Sequence, residues 1–217
     1  TGGSIAVAEA ARNVVCAGAR PIALTDCLNF GTPEKPEVYW QFEQVIRGMS
    51  EAAEALGTPV ISGNVSLYNE SDKGAIYPTP IVGMVGLIED TNHIRSQGFQ
   101  NDGDLIFLLG RTEPELGASM YLEVVHGLET GKVPALDLKK EKAVQELCLE
   151  GIGAGLIKSA HDCSDGGLAV AIAESCISGN IGAEINLVKG NLELPELLFG
   201  ETQSRIIVTV DRNKGEE

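Results

Sequence analysis

A chain of 217 residues, 43% hydrophobic and 22% charged, can bury a real core in one large domain or two small ones and reads as soluble and globular. Sixteen Lys and Arg against 31 Asp and Glu leave a net charge of −15, which repels a nucleic-acid backbone or an anionic membrane surface, so neither is an expected partner. A phosphorylated ligand would have to be met by metal ions and backbone N–H groups, which favours Mg²⁺ over a basic patch.

The five cysteines (Cys16, Cys27, Cys148, Cys163 and Cys176) are odd in number, scattered, and without the short paired spacing of a zinc site. They read as reduced, mostly buried thiols of a cytoplasmic protein. No apolar run is long enough to cross a bilayer, and no signal-peptide pattern opens the chain. An opening at Thr1 rather than Met reads as a piece of something longer.

In chain order, Ile5, Ala8, Ala11, Val14 and Val15 recur at helical spacing, which predicts a helix from Ser4 as N-cap to Ala17, stopped by Gly18. Pro21 to Thr25 reads as a strand ending at Asp26, whose side chain would project into a cleft. A loop with Gly31, Pro33 and Pro36 follows. Val38, Phe42, Val45, Ile46, Met49, Ala53 and Leu56 then mark one face of a long helix ending at Gly57. Trp40 and Phe42 on it are expected in a core or interface.

The stretch from Val60 to Glu70 organises the first half. Its β-branched start reads as a buried strand that breaks at Gly63 into small polar residues. Gly63 allows close backbone approach, Asn64 offers an amide oxygen suited to Mg²⁺, and Ser66 offers a hydroxyl donor. On spacing alone, an Asn/Ser-rich turn between strands explains the same residues. Ile76 to Ile88 supplies further strand, with Pro78 and Pro80 confining its start to an edge. The polar stretch Glu89 to Asp104 is the expected boundary, giving domains at residues 1–92 and 93–217.

The second half opens with a strand from Leu105 to Leu109, then helices from about Ser119 to Leu128 and from Leu138 to Ile152, the latter capped by Asp137. Ile157 onward reads as a strand, a tight turn through Asp165-Gly166-Gly167 and a helix of small residues. Two readings fit that turn equally: free N–H groups binding an anion, or Asp165 capping the helix. His161 beside Asp162 reads as a structural pair, although a general base is conceivable. His93 and His126 carry no chemistry. A loop from Leu197 then feeds a β-branched strand ending near Val210.

Taken together, five stretches resemble one family. They are Ala6 to Asn13, Leu24-Thr25-Asp26-Cys27-Leu28-Asn29-Phe30-Gly31, Ser62-Gly63-Asn64-Val65-Ser66-Leu67-Tyr68, Ser159 to Asp162 with Ser164 to Leu168, and Phe199-Gly200-Glu201-Thr202-Gln203-Ser204-Arg205. The family is phosphoribosylformylglycinamidine synthase, the large synthetase subunit of the fourth step of purine synthesis. The resemblance spans essentially the whole chain. It implies an α+β fold: an aminoimidazole ribonucleotide synthetase-like half-barrel N-terminal domain, truncated at its start, followed by an α/β C-terminal domain, truncated at its end. Both would belong to the second of two duplicates, and the family's catalytic His would lie in the absent first one.

The activity so implied joins ammonia from glutamine to formylglycinamide ribonucleotide with ATP and Mg²⁺, in complex with a glutaminase subunit and a small accessory subunit. Asp26 and Gly63 would contact ATP, Asn64 would ligate Mg²⁺, and Ser66 would hydrogen-bond the substrate. Glu201 and Gln203 are not assigned as ligands, because Glu-Thr-Gln departs from the family's Glu-Ser-Gln; nor are Asp165, Gly166 and Gly167. Two other readings stand beside this one. The chain could be a structural or nucleotide-holding half that binds partner subunits without catalysing. It could also be a related ATP-using enzyme such as selenophosphate synthetase or thiamine-monophosphate kinase, against which the Asp-Cys-Leu-Asn-Phe-Gly and Ser-Gly-Asn-Val-Ser wording argues.

Overall fold

Helix α1 (Gly2–Cys16) and helix α2 (Pro36–Leu56) form where the apolar spacing predicts helices, but α1 starts two residues early. Ser4 therefore lies inside α1 and is no cap; its Oγ donates to the Gly48 carbonyl at 3.0 Å. The reason is packing: a Cβ at Gly48 would meet Ser4, and one at Gly3 would meet the Val45 carbonyl, so small residues let the two helices touch. Helix α2 ends as expected at Gly57, whose left-handed φ of 70° lets its N–H turn back to the last carbonyls.

The computed structural model describes residues 1–215. It divides into two compact units, Thr1–Val14 with Pro21–Leu87, and Val15–Arg20 with the chain from Ile88 onward. The first unit holds a three-stranded sheet in the order β2-β1-β5, built from β1 (Arg20–Asn29), β2 (Val60–Ser66) and β5 (Thr79–Leu87). A hairpin of β3 (Glu70–Ser71) and β4 (Gly74–Ala75) interrupts the connection. Strand β5 is outermost, which suits Pro80 inside it. Val7, Ala11, Leu24 and Phe30 are buried, with Phe42 meeting Phe30 edge to face at 5.1 Å. Trp40 is not part of this core; it stands 61% exposed.

Two expectations about this sheet are corrected. Strand β2 is not buried: Val60, Ile61 and Val65 are all exposed. Nor do the strands stop at Asp26 and Gly63, since β1 runs on to Asn29 and β2 to Ser66. Pairing with β1 satisfies the backbone through Gly63 and Asn64, so the change to small polar residues does not end the strand.

The second unit is built on β8 (Ile206–Val210), with β6 (Leu105–Leu109) and β7 (Ile157–Asp162) antiparallel on either side. All five residues of β8 are buried. Val15, Cys148, Ile152, Ala160, Ile206 and Val208 cluster in one core, and Phe99, Cys163, Leu168, Ala171 and Ile207 in another. A strand covered on both faces has no polar face to alternate with, hence its continuous apolar run. Helices α3 (Met120–His126), α4 (Leu138–Gly153), α5 (Gly167–Gly179) and α6 (Leu194–Phe199) complete the unit. Asp137 caps α4 by accepting from the Lys139 and Lys140 amides, as the sequence predicts, and Ser119 caps α3 as well.

Candidate functional site

Parallel pairing of β1 with β2 sets Thr25 opposite Ser62, Asp26 opposite Gly63, Cys27 opposite Asn64 and Asn29 opposite Ser66. All four residues singled out from sequence are thus gathered on two adjacent strands. Paired residues share a face and successive residues alternate, so the four divide. Asp26 and Gly63 lie on the face where Leu24 and Leu28 are buried. Asn64 and Ser66 lie on the other, with Thr25, Cys27, Asn29 and Ser62, where the Ser62 hydroxyl donates to Thr25 Oγ1 at 2.8 Å. The sequence-based picture of a carboxylate and an amide oxygen gripping one cation from the same side is therefore corrected. Among the described residues strand β2 pairs only with β1, and a ligand reaching all four groups has to wrap its outer edge.

Gly63 is required by geometry rather than by backbone dihedral: a Cβ built there would overlap the Asp26 carboxylate. Any side chain would displace the very group it faces. Asp26 is half-buried and Asn64 exposed, and among the described residues no hydrogen bond holds either side chain. Both are left with lone pairs to offer.

Ser66 is held differently. The Asn69 amide donates to Ser66 O at 2.9 Å, to Phe30 O at 3.0 Å and to Ser66 Oγ at 3.1 Å. Beside it, Glu70 accepts from the Thr32 amide at 3.0 Å and from Lys35 Nζ at 2.9 Å. The Thr32 N–H first, then the Lys35 ammonium, hold the Glu70 carboxyl below the ordinary Glu value. This clamps the loop between β1 and α2 over the hairpin. Sequence reasoning gave Asn69 and Glu70 no role. Residue type alone does not announce them: only the structure shows Tyr68, just before them, at φ 61° in a constrained turn.

In the second unit the turn before α5 is served from within the chain. Gly166, at φ 75°, is the N-cap and makes no side-chain cap, so Asp165 does not cap this helix. Instead Glu201 accepts from Gly166 N at 2.9 Å and from Met120 N, at the start of α3, at 2.8 Å. Burial pushes the Glu201 carboxyl above its ordinary value, while these two amides pull it back. Arg205, fully buried, donates to Gly200 O at 2.6 Å, Thr202 O at 2.9 Å and Thr112 Oγ1 at 3.0 Å. His161 lies closer to Glu174, at 2.9 Å, than to Asp162, at 3.7 Å, so the expected structural pair is chiefly with Glu174.

Among the described residues no group of three or more His, Cys, Asp and Glu side chains could hold a metal by itself. The donor set at β2 fits another arrangement. One amide oxygen supplies a single hard ligand, suited to Mg²⁺ that keeps its waters and takes its other ligands from phosphate.

The class is defined by both halves of the chain: models of the AIR synthase related proteins match over residues 1–88 for the N-terminal domain and 101–217 for the C-terminal domain, and the chain belongs to that family. Within it, the chain is 60% identical over 96% of its length to the phosphoribosylformylglycinamidine synthase subunit PurL of Moorella thermoacetica, and spans 28% of that relative's length. Two solved structures of T. maritima PurL, one complexed with FGAR and one with ATP, superpose with TM-scores of 0.77 and 0.72. They are 24% and 22% identical, are covered over 35% and 33% of their lengths, and cover 99% of this chain. At that identity they establish the fold, α+β as expected. No helix among the described residues is long and apolar enough to cross a membrane.

Proposed function

We propose that this chain is the nucleotide- and metal-contacting part of a phosphoribosylformylglycinamidine synthase, an ATP-dependent ligase of purine synthesis acting in the cytoplasm. The glycinamide carbonyl oxygen of formylglycinamide ribonucleotide attacks the γ-phosphorus of ATP and releases ADP. Ammonia from a glutaminase subunit then adds to the carbon bearing the phosphorylated oxygen, and the C–O bond breaks to release phosphate and give the amidine. The observation that carries this reading is the pairing of Asp26 with Gly63 next to Asn64 and Ser66, in a chain 60% identical to PurL. In the proposed roles Asp26 and the open backbone at Gly63 contact ATP, Asn64 supplies one ligand to Mg²⁺, and Ser66 hydrogen-bonds the substrate amide. When bound, Mg²⁺ offsets the charge of the triphosphate against a protein of net charge −15.

Asn64→Ala in a full-length enzyme containing this chain tests it. The expected result is a loss of kcat/KM of at least about 100-fold, the upper end of what losing an outer-shell metal partner costs, with folding intact and more Mg²⁺ needed for half-maximal rate. Unchanged turnover would remove Asn64 from the site.

A second role is supported by exposed apolar residues on both sides of the sheet: Val65 on the face of Leu28, Ile81, Val85 and Leu87 on the face of Thr25, and Ile61 at the bulge. A soluble protein covers such a surface, so this unit also serves as a structural half seated against a duplicate domain or against the glutaminase and accessory subunits. Val85→Asp would then lower the unfolding midpoint of the full-length enzyme, which Asn64→Ala would leave in place.

A further inference from the structure

The junction between the ends of β1 and β2 is tied by one side chain. The backbone of Asn69 donates to Phe30 O at 3.1 Å, and Phe30 N donates to Ser66 O at 3.0 Å. Into this junction the Asn69 amide inserts its NH₂ group, within 3.1 Å of Phe30 O, Ser66 O and Ser66 Oγ. Two of these three are backbone carbonyls, which only accept. They fix which end of the amide points at them, because an Oδ1 turned that way would face two carbonyl oxygens.

That orientation determines what the Ser66 hydroxyl can do. Its oxygen receives an N–H from Asn69, while among the described residues its own proton has only Asn69 Oδ1 at 3.3 Å. An O–H···O contact of that length is well beyond the 2.5–3.0 Å of a good hydroxyl hydrogen bond. An N–H donated to the oxygen polarises the O–H and makes it a better donor. The hydroxyl is thus held as a donor with a weakly committed proton, on the face of the sheet that also carries Asn64.

We propose that Asn69 is a positioning residue: it fixes Ser66 as a hydrogen-bond donor to the amide carbonyl oxygen of the ribonucleotide substrate. This rests on the reading of Ser66 as a substrate contact given above. Asn69 touches no reacting atom itself.

The test is a double-mutant cycle in a full-length enzyme containing this chain, with Ser66→Ala, Asn69→Ala and the pair, measuring KM for formylglycinamide ribonucleotide and for Mg·ATP separately. Loss of one such hydrogen bond raises KM for the ribonucleotide about 10-fold in each single variant, with KM for Mg·ATP moving less than about twofold. In the double variant the ribonucleotide KM matches Ser66→Ala alone, because Asn69 has no hydroxyl left to aim. Additive losses, or an Asn69→Ala that changes both KM values alike, would show a merely structural role and overturn the proposal. If Ser66→Ala leaves the ribonucleotide KM unchanged, Ser66 is no substrate contact; that reading falls and this inference with it. An effect of Ser66→Ala without one from Asn69→Ala overturns this inference alone.

Discussion

Strands β2 and β8 are similar in sequence character and opposite in circumstance. Both open on two β-branched residues, Val60-Ile61 and Ile206-Ile207, yet β2 is exposed from Val60 to Val65 and β8 is buried throughout. Around β8 the polar groups are largely answered from within the chain. Ser159 and Thr209 share a hydrogen bond of 2.6 Å, Lys158 reaches Asp104 at 2.7 Å, and Glu201 fills the anion seat at the start of α5. Around β2 the Asp26 carboxylate and the Asn64 amide are left unmatched among the described residues. Burying unmatched groups is costly, whereas leaving them on an open edge keeps them available for a ligand. The second unit spends its polar chemistry on its own fold, and the first holds it ready for something else.

The largest break in this contrast should come from Arg205→Ala. Removing a fully buried guanidinium strips partners from the Gly200 and Thr202 carbonyls and leaves a cavity. We expect a loss of at least about 4 kcal/mol, read in urea unfolding, with early loss of hydrogen-exchange protection in β8. Leu24→Ala is the counterpart in the first unit. Leu24 is fully buried on the middle strand, so its truncation should cost about 3 kcal/mol and expose β1 to exchange first. A smaller loss there would mean that the open sheet is also loosely packed.

How much of this was readable in advance follows the same division. The apolar run of β8, the limits of β6, the Asp137 cap and the Gly57 stop are local consequences of side-chain type, and the structure has them as expected. The exposure of β2 was not legible, because Val60-Ile61 reads the same whether or not another surface covers it. Nor was the division of Asp26 from Asn64, which depends on register: Leu24 pairs with Val60 but Thr25 with Ser62, leaving Ile61 as a bulge. Glu201 was invisible as the anion at α5 because it lies 35 residues from Gly166.

Two carboxylates sharpen the comparison through pH, with opposite signs. Glu70 is held below its ordinary value, so its contribution is fully present above the ordinary Glu range and fades as pH falls through the lowered folded value. Glu70→Gln should remove that acid-side loss of protection in the loop from Thr32 to Lys35, followed by hydrogen exchange between pH 3 and 7. Glu201 is held above its ordinary value, so folding favours its protonated form. Its contribution is present below the ordinary range and lost as pH rises through the raised value. Glu201→Gln should therefore make the second unit less sensitive to rising pH, measured by thermal unfolding from pH 4 to 8. A Glu201→Gln variant that lost stability only at high pH would reverse this sign.

The smallest effect is the most pointed. Ile61 is 65% exposed and is the residue left over by the β1–β2 bulge, so Ile61→Thr removes little buried surface and keeps a β-branched side chain suited to a strand. In this chain it should shift stability by no more than about 0.5 kcal/mol in urea unfolding. In a full-length enzyme, where the second role proposed above has another surface covering β2, the same change should cost about 1 kcal/mol or more, because the methyl groups lost are then buried and a hydroxyl takes their place. Equal costs in the two settings would mean that β2 stays open in the assembled protein, leaving its outer edge free for nucleotide rather than for a neighbouring domain.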